Sequence, residues 1–255
     1  MSEVRAVKRA FEILDYLRVE KEPQSLASLH RSLGLSKTTL ARILGTLEKS
    51  GFVERDSVSQ GYILGMKFLH FGYVVSERFT AKKVSTPVLK RIRDACNETV
   101  YIYLLNGNSR ICVDYLQGKS TVRVMVYLGQ ESPLYSGASG KAILAYFADE
   151  KLEKYFKETE LVPLTSNTIV DRDRLRQELK TIRQRGYAVS LGEKVPGVFS
   201  ISAPIRDEKG IVNASLSIAA PLDRQSEIDS FVKLVVEGAV EISNYSQVFR
   251  NELFN

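Results

Sequence analysis

The chain has 255 residues, 44% of them hydrophobic, with 36 Lys/Arg against 30 Asp/Glu, two histidines and two cysteines. This is long for one domain and comfortable for two, apolar enough for ordinary cores, and too poor in cysteine for a disulfide scaffold. The basic excess is uneven: Met1–Arg93 holds 17 Lys/Arg against 9 Asp/Glu, and Asp94–Asn255 holds 19 against 21. The surplus positive charge therefore sits in the first part of the chain, where a polyanion would meet it. The opening MSEVRAVKRAFEILDYL carries acids and has no uninterrupted apolar core, and no apolar run approaches a membrane span. A cytoplasmic protein with no membrane partner is expected.

Val4–Val19 is amphipathic, with Val7, Phe11, Leu14 and Leu17 near helical spacing. Glu20–Gln24 is a loop. Leu26, Leu29 and Leu33, then Leu40, Ile43, Leu44 and Leu47, give two short helices with one apolar stripe each, joined by a turn at Gly34-Leu35. Ser36 stands where an N-cap hydroxyl would accept from the first free amides of the second helix. Lys37, Thr38, Thr39 and Arg42 face outward there, with the chemistry to meet phosphates and base edges in a major groove. Gly51 closes that helix, and Phe52–Leu64 reads as a hairpin, or wing, turning through Asp56–Gln60. The whole reads as a winged helix-turn-helix; the alternative is an ordinary helical hairpin with a polar outer face. Met66–Arg78 is a candidate linker helix whose apolar side (Phe68, Leu69, Phe71, Val74, Val75) calls for a second subunit to cover it.

A helix from about Ala81 to Cys96, interrupted near Pro87, leads into a different pattern. Thr99–Leu105, Ser109–Leu116 and Thr121–Leu128 read as strands, and Ser139–Phe147 and Glu150–Lys157 as helices. Asp171–Arg185 is a charged helix with Asp171 as N-cap and Gly186 as its stop. Strands follow at Tyr187–Leu191, Val198–Arg206 and Ile211–Ala219, the last two joined by the turn Asp207–Gly210. Ser226–Phe249 is a closing helix with Ile228, Phe231, Val235, Ala239 and Ile242 inward. The fold class is α+β, with a sheet of five or six strands flanked by helices.

The sequence offers no catalytic constellation. His30 and His70 both lie on helices of the N-terminal part, away from any C-terminal nucleophile, and Cys96 and Cys112 lack metal-ligand spacing and read as packing thiols. Gly140-Lys141 and Gly118-Lys119-Ser120 fail the phosphate-loop pattern, because Tyr135 and Val113 stand where an earlier glycine is required. No cofactor and no metal are expected. Ser136–Lys141 (SGASGK) remains. Its small residues run into a helix whose first amides could meet an anion, or else form a tight structural turn.

These residues resemble the IclR-type bacterial transcriptional regulators along essentially the whole chain. The landmarks are RAVKRAFEILDYL, LSKTTLARILGTLEKSGFVER, Gly61–Gly65, Ser132–Ala145 (SPLYSGASGKAILA), Arg185-Gly186-Tyr187, Gly192-Glu193 through Pro196-Gly197-Val198, and Ser200–Ile205. The resemblance implies a winged helix-turn-helix over 1–65, a linker helix over 66–80 and a GAF-like effector-binding and oligomerisation domain over 81–255. It implies a sequence-specific DNA-binding regulator, more often a repressor, of a catabolic operon, controlled by a small organic or aromatic acid. It also implies a homodimer or dimer of dimers on a double-stranded DNA operator. The DNA-binding set would be Ser25, Ser36, Lys37, Thr38, Thr39 and Arg42, with Arg55 and Tyr62 from the wing. The effector-binding set would be Val124, Ala138, Ser139, Ser190, Ser200 and Ser217, with the Ala138 and Ser139 amides taking a carboxylate. Gly137 departs from the family's usual Ser or Thr, and Ser190 and Ser200 from the acid or Cys of some carboxylate-binding members. The competing reading is a ligand-responsive protein-interaction module without specific DNA binding.

Overall fold

The computed structural model describes residues 3–20, 22–77 and 81–245, which divide into two units, Met1–Arg78 and Phe79–Asn255. Residues 78–80 of the expected linker segment, and the end of the closing helix beyond Tyr245, lie outside the described residues.

The first unit is built from α1 (Arg5–Val19), α2 (Leu26–Leu33), α3 (Lys37–Lys49), the hairpin β1 (Val53–Arg55) and β2 (Tyr62–Leu64), and α4 (Lys67–Glu77). Ile13 and Leu17 of α1 meet Leu29, Leu40, Leu44, Val53 and Tyr62 in one buried cluster. Of the expected Val7, Phe11, Leu14 and Leu17 stripe, Leu17 is in this core and Leu14 packs against it, but Val7 and Phe11 do not face inward. Ile13 is fully buried, whereas Val7 and Phe11 are half or more exposed, and they border a groove described below. Tyr62 pairs with Gln24 through reciprocal backbone bonds (2.8 and 3.0 Å), which gives the hairpin a short third strand from the loop before α2. The start of α4 is pinned beneath the wing. The Met66 amide donates to Glu54 (2.8 Å), and Phe52 meets the rings of Phe68 and Phe71 at 5.3 and 5.4 Å.

The second unit is a six-stranded antiparallel sheet of order β5-β4-β3-β8-β7-β6. Its strands are β3 (Thr99–Asn106), β4 (Ser109–Leu116), β5 (Glu131–Pro133), β6 (Ala188–Leu191), β7 (Val198–Arg206) and β8 (Val212–Pro221). Its helices are α5 (Ala81–Cys96), α6 (Ala138–Leu144), α7 (Asp149–Glu158), α8 (Arg172–Arg185) and α9 (Ile228–Asn244), the last preceded by a 3-10 turn over Leu222–Glu227. The period-two alternation of the strands sorts their chemistry onto two faces. Val100, Ile102, Leu104, Phe199, Ile201, Leu216 and Ile218 face α5 and α9 and form the main core with Leu89, Ile92, Phe231 and Val235. Tyr101, Tyr103, Ser202, Ser215 and Ser217 occupy the alternate positions, on the face that α6 covers.

Three expectations are corrected here. Thr121–Leu128 is not a strand. It belongs to a loop between β4 and β5 that crosses the α6 face of the sheet, with the Val124 carbonyl held by Thr99 Oγ1 at 2.8 Å and Val126 buried, while Val122, Met125 and Tyr127 are exposed. Its alternation is real but no neighbouring strand pairs with it. The edge of β4 is taken instead by Gly129-Gln130, which exchange backbone bonds with Cys112, and by β5, which was not expected. Finally, α5 runs through Pro87 without a break; the ring removes one N–H donor but the flanking turns hold.

Candidate functional site

Polar chemistry gathers in two places, one in each unit. In the first, Ser25 and Ser36 are the N-caps of α2 and α3. Their hydroxyls accept from the Ser28 and Thr39 amides at 3.0 and 3.2 Å. Ser36 also donates to Thr39 Oγ1 at 2.9 Å, so Thr39 is half-buried and committed to the cap. Lys37, Thr38 and Arg42 are exposed on one side of α3, and neither cation forms an ion pair among the described residues. The structure thus brings together a capped helix N-terminus, whose first amides have no intrahelical partner, and two unneutralised cations.

The wing differs from expectation in one residue. Tyr62 is 4% exposed and belongs to the core, so its ring is not a surface contact. Its hydroxyl accepts from Arg55, whose guanidinium lies 3.7 Å above the ring centroid and also donates to the Gln60 carbonyl at 2.8 Å. Tyr62 holds Arg55, and Arg55 braces the turn from outside. Asp56 closes the tip by accepting from the Val58 and Ser59 amides at 3.2 and 2.7 Å, and the Ser59 bonds hold its carboxyl below the usual range.

Beside the wing, α1, α3 and α4 enclose an apolar groove lined by Val7, Phe11, Leu14, Ile43, Leu47 and Phe71 among others. Along α4, Leu69, Tyr73, Val74 and Val75 are all more than half exposed. Exposed apolar side chains gathered on one helix in this way mark an interaction surface.

In the second unit a small cavity of about 70 Å³ lies between the sheet, the Ser136–Lys141 turn and the 117–130 loop. Of the expected effector-binding residues, Val124, Ser139, Ser190 and Ser200 line it. Ala138 and Ser217 do not. Ala138 is fully buried behind the wall with its amide directed at Ser200 Oγ (3.4 Å), and Ser217 is bonded to Ser202 across β7 and β8 at 2.7 Å. Strand register puts Ser217 on the cavity face but one pair further from the opening than Ser200.

Sequence reasoning missed the two cations in the wall, Arg110 and Lys194. Arg110 is 1% exposed, and its guanidinium donates to the carbonyls of Pro133 and Ser136. Burial lowers its pKa, and the neighbouring Tyr103 works in the opposite direction. Lys194 donates to Ser132 Oγ at 2.7 Å, and burial reinforced by the Arg110 charge pushes its ammonium down to about 8. Tyr101, with its hydroxyl pushed up by burial to about 12, and Tyr103 complete the floor. The available signals were an arginine at an inward position of β4, and a lysine inside the Gly192–Val198 motif.

Below the turn, Lys141 and Glu193 are both buried and paired at 2.5 Å, and Lys141 Nζ also donates to the Val189 carbonyl at 3.3 Å. The Glu193 carbonyl accepts from Thr168 (2.6 Å), which ties the 192–198 segment to the loop before α8. The lysine that suggested a phosphate loop is therefore a structural ion-pair member.

Comparison with known proteins follows the same division. Residues 6–57 match the IclR helix-turn-helix domain, and residues 74–244 match the C-terminal domain of the bacterial transcriptional regulator IclR. The HTH-type transcriptional regulator KipR of Bacillus subtilis is 34% identical over 94% of this chain and 96% of its own. The HTH-type transcriptional repressor AllR of Escherichia coli is 32% identical over 94% and 89%. The crystal structure of the Thermotoga maritima IclR superposes with a TM-score of 0.74 at 32% identity, covering 96% of this chain and 99% of that one.

One outcome follows from the buried pair. Lys141→Met leaves the Glu193 carboxylate buried without its counter-ion and should destabilise the second unit by about 3–5 kcal/mol. Lys154→Met, which removes an exposed pair with Glu158, should cost less than about 0.5 kcal/mol. Denaturant unfolding followed by circular dichroism measures both.

Proposed function

The chain belongs to the IclR family of bacterial transcriptional regulators, and from that premise we propose how its two units divide the work. It is a DNA-binding transcriptional regulator whose helix-turn-helix head binds DNA. In our reading α3 enters the major groove of a pseudo-palindromic operator. Arg42 and Thr38 reach base edges, and Lys37 with the free amides at the capped N-terminus takes a phosphate. The wing tip at Asp56–Gln60, stiffened by Arg55, lies along the flanking backbone. The observation that carries this reading is the pair of unneutralised cations at the start of α3, in the part of the chain that holds the whole basic excess.

The cavity lined by Val124, Ser139, Ser190 and Ser200 is the effector site, taking a small organic acid supplied by the catabolic route under control. We assign repression as the mode of action, the sign carried in the name of the AllR relative, and the cytoplasm as its place. The groove beside α4 and the exposed apolar side of α4 are covered by a second copy of the chain, giving a homodimer that can pair again into a dimer of dimers. An effector changes operator affinity only by binding the two states of the protein unequally.

Two outcomes test this. Arg42→Ala should weaken operator binding by about 1–3 kcal/mol, roughly 5- to 150-fold, at unchanged thermal stability; equal affinity in fluorescence anisotropy would remove Arg42 from the reading helix. Phe71→Asp should halve the particle mass in sedimentation equilibrium. A mass unaffected by that substitution would put the subunit contact elsewhere.

A further inference from the structure

The buried charges around the cavity do not balance. Arg110 and Lys141 are each 1% exposed and Lys194 is half-buried, yet the carboxylates beside them, buried Glu193 and partly exposed Glu178, both pair with Lys141. Glu193 is 2.5 Å from Lys141 Nζ, so its charge is already matched. Arg110 meets only carbonyl oxygens, and its buried Nε has no partner. Lys194 has Ser132 Oγ as its hydrogen-bond acceptor, one for three N–H donors. Both cations lie over the same Tyr103 ring, at 5.1 and 6.0 Å from its centroid. A ring face is a weaker partner than an anion, and two desolvated like charges sharing one ring are unfavourable unless something negative joins them. No Asp or Glu lines the cavity.

The volume decides what that negative group is. An apolar cavity that admits benzene measures about 150 Å³, and this one is about 70 Å³. An aromatic acid is too large for it; a short aliphatic acid is not. Resting on the reading of the cavity as the effector site, we propose that it takes a small aliphatic dianion, a short dicarboxylate. In that site the Lys194 ammonium receives one carboxylate under the Arg110 field, and the Ser139, Ser190 and Ser200 hydroxyls receive the other. Lys194 is then the residue that selects for charge, and its place in the wall, rather than the α6 amides, carries the recognition.

The groups facing Lys194 sharpen the test. Tyr103 on β3 and Cys112 on β4 are pushed up by burial, the thiol to about 12, and a guanidinium such as that of Arg110 is not deprotonated in proteins. Between pH 7 and 9 Lys194 is accordingly the cavity-wall group that titrates, with its pKa at about 8. Above that pH, binding must also restore the proton, so affinity should fall by about tenfold per pH unit.

The experiment is isothermal titration calorimetry of the full chain with oxalate, malonate, acetate and benzoate, each at fixed ionic strength. Wild type should bind oxalate or malonate at least tenfold more tightly than acetate or benzoate. Lys194→Met should lose that preference and its pH dependence with no fall in the thermal midpoint. Acetate or benzoate matching the dianions, wild-type dianion affinity in Lys194→Met, or no dianion binding by a chain that selectively binds its upstream DNA would each overturn the proposal alone. Absence of selective DNA binding would instead overturn the regulator reading beneath it.

Discussion

The Arg110 guanidinium shapes the second unit around itself. It is buried under the Ser136–Lys141 turn and holds the carbonyls on both sides of Leu134-Tyr135, so the residues above it must be small. A Cβ at Gly140 would overlap both Arg110 Nη1 and the Leu134 carbonyl oxygen. At Gly137, where φ is +79°, it would crowd Arg110 Nη2 at 3.3 Å. The run of small residues is thus a packing requirement of the arginine, and the departure at Gly137 follows from both φ and crowding. Once the turn is fixed, α6 is laid over the serine-bearing face of the sheet, where Ser215 donates to the Ser139 carbonyl at 3.1 Å. The cavity is what remains between them.

The head rests on different physics. Its two central helices, α2 and α3, are short and each starts on a serine cap, so local hydrogen bonding sets their ends while one apolar cluster sets their packing. Because the caps satisfy inner amides, the start of α3 can be left in solvent with its cations unpaired. That arrangement is costly in isolation and useful only beside a polyanion. The apolar side of α4 has the same character, being tolerable only when covered.

Much of this could be read from the residues because the signals were local. Ser36 followed by helical periodicity marked the start of α3, Asp171 and Gly186 bracketed α8 as cap and stop, and the turn Asp207–Gly210 marked the break between β7 and β8. What misled or stayed hidden depended on contacts distant in sequence. Thr121–Leu128 alternates like a strand, but Gly129-Gln130 and β5 occupy the edge it would need. Tyr62 looked like a wing surface residue, but Gln24 draws it into the core. Arg110 and Lys194 were not singled out in the sequence, because only the assembled sheet and turn enclose them. Ser217 shares the cavity face of the sheet but does not line the cavity, being committed to Ser202.

In the proposed function the cavity of the second unit and the proposed DNA-reading face of the first are thermodynamically coupled. Linkage makes this testable from both ends, since the factor by which ligand changes operator affinity must equal the factor by which operator changes ligand affinity. The most direct measurement is therefore a closed cycle. The operator Kd is taken by anisotropy with and without saturating malonate, and the malonate Kd by calorimetry with and without saturating operator. The account predicts equal factors of about 5–150-fold from the two sides. Malonate that binds the cavity and leaves the operator Kd unchanged would contradict it.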